Sequence, residues 1–210
     1  MGILDQLNKE ADDKREAEYQ HSLLPTMHKI FATLKALLDY LNPLGAIEIK
    51  DYSSSMPQIG TLKQGGYKIN TDGVGGFAEQ NNLRQINLLY KLIGHDTFSY
   101  TMQGKLAGEQ EADKLRSKNL NVETKTFISE RGIPSTTFTI ERNFLAMVKF
   151  EVDYDNSKIK LFIGNHENLT SIRNSFAASD ITDEFLDEFV RYFIRKDRVF
   201  VARMGKRATF

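Results

Sequence analysis

Phe144-Leu145-Ala146-Met147-Val148-Lys149-Phe150-Glu151-Val152-Asp153-Tyr154, followed after Asp155-Asn156-Ser157 by Lys158-Ile159-Lys160-Leu161-Phe162-Ile163, is the stretch that decides the fold. Phe144, Ala146, Val148, Phe150, Val152 and Tyr154 alternate with a row that carries Lys149, Glu151 and Asp153. Ile159, Leu161 and Ile163 take up the same period after the turn. Apolar residues at every second position put one face on a core and the other in water, which is the pattern of an antiparallel sheet.

Working upstream, Thr136–Glu141 alternates around Phe138 and Ile140, Pro134 opens that strand where a missing N–H costs least, and Arg131-Gly132 turns back to Val122–Ser129. Thr97–Gln103 alternates through Phe98, Tyr100 and Met102. Residues 83–93 fit two templates. Ile86, Leu88, Tyr90 and Leu92 have strand spacing, while Leu83, Ile86, Tyr90 and Ile93 fit a helix between Asn82 and Gly94; strand is the reading taken. Gly108–Lys118 reads as a short helix ended by Asn119. Downstream, residues 181–196 read as a helix with Asp180 as N-cap. Its early Asp183, Glu184, Asp187 and Glu188 and late Arg191, Arg195 and Lys196 suit the helix dipole. Val199–Met204 reads as a final strand.

The N-terminal arm, residues 1–44, is helical. Leu24, Met27, Phe31, Leu34, Leu38 and Leu41 follow 3-4-3-4-3 spacing, and Leu23, Ile30 and Leu37 widen the stripe beyond a coiled-coil seam. Residues 3–21 form a charged, weakly amphipathic helix; Pro25 marks a break or kink and Asn42-Pro43 the end. Residues 45–82 are rich in Gly and Ser, with a short strand at Ala46–Tyr52. The expected fold is therefore α+β: an antiparallel sheet of five to seven strands, packed by an N-terminal apolar helix and a C-terminal amphipathic helix. Residues 1–44 form a helical arm, 45–82 a connecting segment, and 83–210 a mainly β domain.

Composition narrows the chemistry. The 210 residues hold 28 Lys+Arg against 28 Asp+Glu, without the basic excess usual for a nucleic-acid domain, so that partner is not expected; the basic tail leaves it open. The absence of cysteine removes thiolate nucleophiles, disulfides and Cys-held zinc. The first residues have no signal-peptide pattern and no run is long enough to span a membrane, so a soluble, cytoplasmic chain is expected.

No motif fixes a reaction. His95-Asp96 and His166-Glu167 lie at expected strand ends and are the two candidate general bases. His21 and His28, one heptad apart, are poorly spaced for a metal, and neither a metal nor a cofactor is expected. Asn70–Gly76 shares only glycines with a phosphate loop, and Asp153-x-Asp155-x-Ser157 lacks the Gly and Glu of a calcium loop. Arg195, Lys196, Arg198, Arg203, Lys206 and Arg207 form the one local charge asymmetry and could contact an anion. Three readings follow. The first is a non-catalytic assembly protein that self-associates or meets a protein partner through Leu24, Met27, Phe31, Leu34, Leu38 and Leu41. The second is a small-molecule or lipid-binding module with a cavity between sheet and helices, lined by Phe144, Val148, Phe150, Val152 and Leu161. The third is an enzyme using His95 or His166.

Overall fold

The computed structural model describes residues 2–50, 52, 59–73, 78–79, 81–118 and 120–205. Lys206 and Arg207 of the tail, the serine run and Val74-Gly75-Gly76 lie outside the described residues.

Among the described residues seven antiparallel strands form one curled sheet: β1 (Ile47–Ile49), β2 (Leu62–Thr71), β3 (Gln85–Gln103), β4 (Val122–Ile128), β5 (Pro134–Asp153), β6 (Lys158–Gly164) and β7 (Ser171–Phe176). The order is β1-β2-β3-β5-β6-β7, with β4 beside the first half of β5. The α+β class and the strand count agree with the alternation. Within 83–93 the chain is strand from Gln85 onward, and the two short strands read around Thr136 and Phe144 are one strand of 20 residues. Between Ile93 and Thr97 the β3 register shifts, with Asp96 at φ 62°, so His95-Asp96 is a bulge inside a strand rather than a turn at its end.

Two strands escape the alternation. In β2 the pairing shifts between Gly65 and Lys68, with Gly66 at φ +66°. Leu62 and Gln64 therefore face inward before the bulge, and Tyr67 and Ile69 after it, so the apolar period changes phase mid-strand. β7 carries inward Ile172, Asn174 and Phe176, one of them polar, and shows no clean period.

The helices are α1 (Ile3–Glu18), α2 (Leu24–Leu44), α3 (Lys105–Ser117), α4 (Asp183–Phe193) and α5 (Val199–Arg203). A five-residue π turn, Tyr19–Leu23, joins α1 to α2 in a continuous helical run, so the break lies before Pro25; at the other end Pro43 sits inside the last turn of α2. The inserted turn changes the face presented along the run. α2 buries Leu24, Met27, Ile30, Leu34, Leu37, Leu38 and Leu41, while α1 buries nothing. Tyr19, within the π turn, accepts a 2.8 Å hydrogen bond from the Leu83 N–H and packs against the Tyr154 ring at 5.2 Å, tilted by 36°. Tyr19→Phe leaves that buried N–H without its acceptor and is expected to cost roughly 1–3 kcal/mol. Urea denaturation reads this directly, and an unchanged midpoint would mean the bond contributes nothing.

α4 starts at Thr182, whose side chain accepts from the Phe185 N–H at 3.2 Å; Asp180 instead caps Ala177 in the preceding 3₁₀ turn. Phe185, Leu186, Phe189, Tyr192 and Phe193 face the sheet. Residues 199–203 form a helical turn, not a strand, with Phe200 buried against Phe185, Phe189 and Tyr192. α3 lies on the far half of β3 and β5. There Gly108 lets the helix approach Thr136: an added Cβ would stand 2.8 Å from its hydroxyl oxygen.

Candidate functional site

Among the described residues the sequence candidates are brought together in one place. At the C-terminal end of α4, the chain turns through Ile194-Arg195-Lys196 beside β1 and the loop after β6. The Arg195 N–H bonds the Tyr192 carbonyl at 3.0 Å and the Lys196 N–H bonds the Arg191 carbonyl at 2.8 Å, which closes a Schellman motif. The left-handed position in that motif suits glycine, yet it is filled by Arg195 at φ 61°. A non-glycine residue there costs on the order of 1 kcal/mol, so the side chain is the feature to account for.

The Arg195 guanidinium lies between three elements. Its Nε donates to Gln64 Oε1 at 2.9 Å, and its Nη2 donates to the His166 carbonyl. Gln64, fully buried in β2, passes its own amide to the Phe193 carbonyl at 3.1 Å. Burial lowers the Arg195 pKa, opposed by the nearby Tyr90, Tyr192 and Tyr52 hydroxyls and by Glu167. Burial also raises the pKa of Tyr52 and of Tyr90, so both rings stay neutral around the cation. Among the described residues Arg195 has no carboxylate within ion-pair distance; the Arg198 fork takes both oxygens of Glu167 at 3.1 and 2.8 Å.

An open cavity of about 450 Å³ lies against this turn. Arg195, Lys196 and Arg198 line it together with Lys50, opposed by Glu48, Glu167 and Asp197. Three of the six tail cations are thus collected at one cavity. Arg203 is not among them: it pairs with Glu188 on α4.

His166 lies behind the same wall, 3 % exposed. Its Nδ1 is 2.7 Å from the Tyr90 hydroxyl and its Nε2 is 3.2 Å from the Tyr192 carbonyl. A carbonyl can only accept, so Nε2 carries the proton and Nδ1 accepts from Tyr90. Burial, aided by the Arg195 charge, pulls the His166 pKa down to about 3. Both nitrogens are engaged, and no lone pair remains to take a substrate proton. His95, the other candidate base, sits exposed in the β3 bulge, where its carbonyl accepts from Arg142 at 2.6 Å.

The seam expected to meet a partner faces inward. Leu24, Met27, Leu34, Leu38 and Leu41 are buried and Phe31 is half-buried, because the broad apolar stripe docks α2 on β2, β3 and α4. The row Phe144, Val148, Phe150, Val152 and Leu161 is likewise buried within the core; Phe150 meets Phe189 edge-on at 5.6 Å. Among the described residues no three His, Asp or Glu side chains converge as metal ligands, and no helix is long and apolar enough to cross a membrane.

Gln64, Tyr52 and Tyr90 had no signal as site residues. Gln64 occupies an inward position of a strand whose period is broken one residue later, and it reads as a loop glutamine until the pairing is known. The Tyr52 hydroxyl reaches the Asn165 carbonyl at 3.0 Å across 113 residues of chain, a contact no local pattern encodes. Compared with protein-family models, with curated proteins and with solved structures, the chain finds no match, and the reading of this site stands on its own geometry.

Proposed function

We propose that the protein is a non-catalytic ligand-binding module that holds a small organic anion, a carboxylate or a phosphate, in the cavity beside Arg195. The observation that carries this reading is Arg195 itself. Its guanidinium is largely buried, sits at a strained backbone position, lines an open cavity and has no carboxylate partner among the described residues. A guanidinium has five N–H donors in a planar fork. Two are used by Gln64 and His166, so the remainder can meet planar or tetrahedral oxygens arriving from the cavity. Lys50 and Lys196 line the same space and add charge without competing for the fork. The reading has no catalytic step, since His166 is saturated by Tyr90 and Tyr192.

Arg195→Gly is the informative substitution. Glycine relieves the left-handed strain and removes a buried charge, gains that offset the two lost hydrogen bonds, so stability is expected to change by less than about 1 kcal/mol. Anion affinity is expected to fall at least tenfold, because a charge-assisted hydrogen bond is worth roughly 1.5–3 kcal/mol. Calorimetric titration with inorganic phosphate and with short mono- and dicarboxylates measures it. Equal affinity in the wild type and in a folded Arg195→Gly variant would remove the reading, and so would the absence of binding by any of these anions.

A further inference from the structure

The outward face of the sheet and the N-terminal helix are unusual in the same way. The strand register fixes which residues point away from α2 and α4. Across β1, β2, β6, β7 and the adjoining halves of β3 and β5, the outward residues include Lys63 and Lys68, Lys91, Lys149, Lys158 and Lys160, and Arg173. Against them stand Glu48, Glu151 and Asp153. Lys149 pairs with Glu151 at 2.8 Å and Lys160 with Asp153 at 2.9 Å, which leaves five cations of this face with no carboxylate partner among the described residues. This asymmetry stands out in a chain of zero net charge.

The face is also apolar along its middle. Leu145 and Ile93 are 60 % and 46 % exposed, Leu89, Met147 and Phe162 are half-buried beside them, and Arg173 lies over the Phe162 ring at 5.0 Å. A groove of about 770 Å³ runs past Met147, Lys149, Phe162 and Arg173.

α1 is the complement of this surface. It carries Asp5, Glu10, Asp12, Asp13, Glu16 and Glu18 against Lys9, Lys14 and Arg15. Ile3, Leu4 and Leu7 are 77 %, 72 % and 55 % exposed at its far end, and no residue of the helix is buried. Sixteen residues of helix are marginal in water without a packed face. Among the described residues its one ion pair to the body joins Arg15 to Asp155, in the β5–β6 turn, at 3.8 Å. No residue of the helix is buried, so about 24 Å of helix is open to another molecule.

We infer that α1 of one copy docks across the outward sheet face of a second copy. The carboxylates of α1 meet the unpaired Lys68, Lys91 and Arg173, and Ile3, Leu4 and Leu7 meet the Leu145–Met147–Phe162 stripe. About 24 Å of helix crosses five strands at about 4.8 Å spacing. Reciprocal exchange makes the contact twofold, closes the assembly as a dimer and leaves neither surface bare. This goes beyond the anion site, whose Arg195 is bonded to the inward-facing Gln64 of β2, on the α4 side of the sheet.

The test is charge exchange on the full chain. The wild type is expected at twice its 24.0 kDa by light scattering, falling toward a monomer as salt is raised. Asp12→Lys/Asp13→Lys/Glu16→Lys alone, or Lys68→Glu/Lys91→Glu/Arg173→Glu alone, is expected to be monomeric. All six positions are on the surface, so both variants keep the wild-type circular dichroism and melting. Mixing the two variants restores the dimer, because each reversed helix then meets a reversed sheet and each native helix a native one. A wild type that is monomeric at millimolar concentration overturns the inference. So does a dimer indifferent to both variants, and so does a mixture that stays monomeric. A monomeric wild type whose sheet face instead binds anionic vesicles or single-stranded RNA would assign that face to another partner.

Discussion

Phe189→Ala is expected to cost about 3–5 kcal/mol, the range for deleting a buried phenylalanine ring whose surroundings cannot collapse into the gap. Phe189 is fully buried at the middle of α4. It meets Phe150 of β5 edge-on at 5.6 Å, Phe200 of α5 edge-on at 5.4 Å and Phe193 at 6.1 Å. These neighbours belong to three elements, and none can move into the space without leaving its own contacts. A domain stable by about 5–15 kcal/mol would lose a large share of its margin. The effect reaches the anion cavity, because α5 is held to the body by Phe200, and residues 195–198 lie on the short segment between α4 and α5. Urea denaturation followed by circular dichroism gives the cost. A loss below about 1 kcal/mol would place Phe189 outside the core, since substitutions at exposed positions such as Leu106 usually fall within about 0.5 kcal/mol.

That core was largely legible. Burial acts on every second residue of a strand and every third or fourth of a helix, so β3, β5, β6, α2 and α4 each carry their packing in their spelling. β2 hid because the bulge at Gly65–Lys68 reverses which residues face inward, and β7 because Asn174 faces inward. Residues 199–203 alternate like a strand, yet they form a helix because Phe200 inserts among Phe185, Phe189 and Tyr192. The broad stripe on α2 was visible, but a stripe shows only that something covers it; the cover is this chain's own sheet. The site was legible only as parts. His166 and Arg195 stood out as residue types, but what joins them is a carbonyl accepting from a guanidinium, and backbone acceptors leave no trace in side-chain patterns. Arg195 at a glycine position was hidden for the same reason, since the Schellman geometry follows from where α4 ends.

His166 should make the fold sensitive to mild acid, with a sign that follows from its burial. Desolvation, together with the Arg195 charge, brings its pKa in the folded protein to about 3. In the unfolded chain it returns to about 6.5. Below pH 6.5 the unfolded state therefore binds a proton that the folded state refuses. Stability is fully present above that pH and is lost as pH falls from about 6.5 toward about 3, at about 1.4 kcal/mol for each pH unit. At pH 5 the deficit is roughly 2 kcal/mol. The site explains why the fold cannot adapt by charging the ring. A proton on Nδ1 would displace the Tyr90 hydroxyl from its 2.7 Å bond and place an imidazolium behind the Arg195 guanidinium, with no carboxylate bonded to either ring nitrogen. His166→Gln supplies an amide N–H for the Tyr192 carbonyl and an oxygen for Tyr90 without a group that titrates in this range. The variant is expected to be less stable at pH 7 yet flatter between pH 5 and 6.5, where few carboxylates titrate, and the two slopes should differ by one proton. Parallel slopes would mean that the folded protein accepts the proton, and the saturated, neutral His166 described above would then be wrong. Arg195→Gly tests the same wall from the other side. Removing its charge lets the His166 pKa rise while desolvation still holds it below 6.5, so the acid-sensitive window should narrow from its lower end.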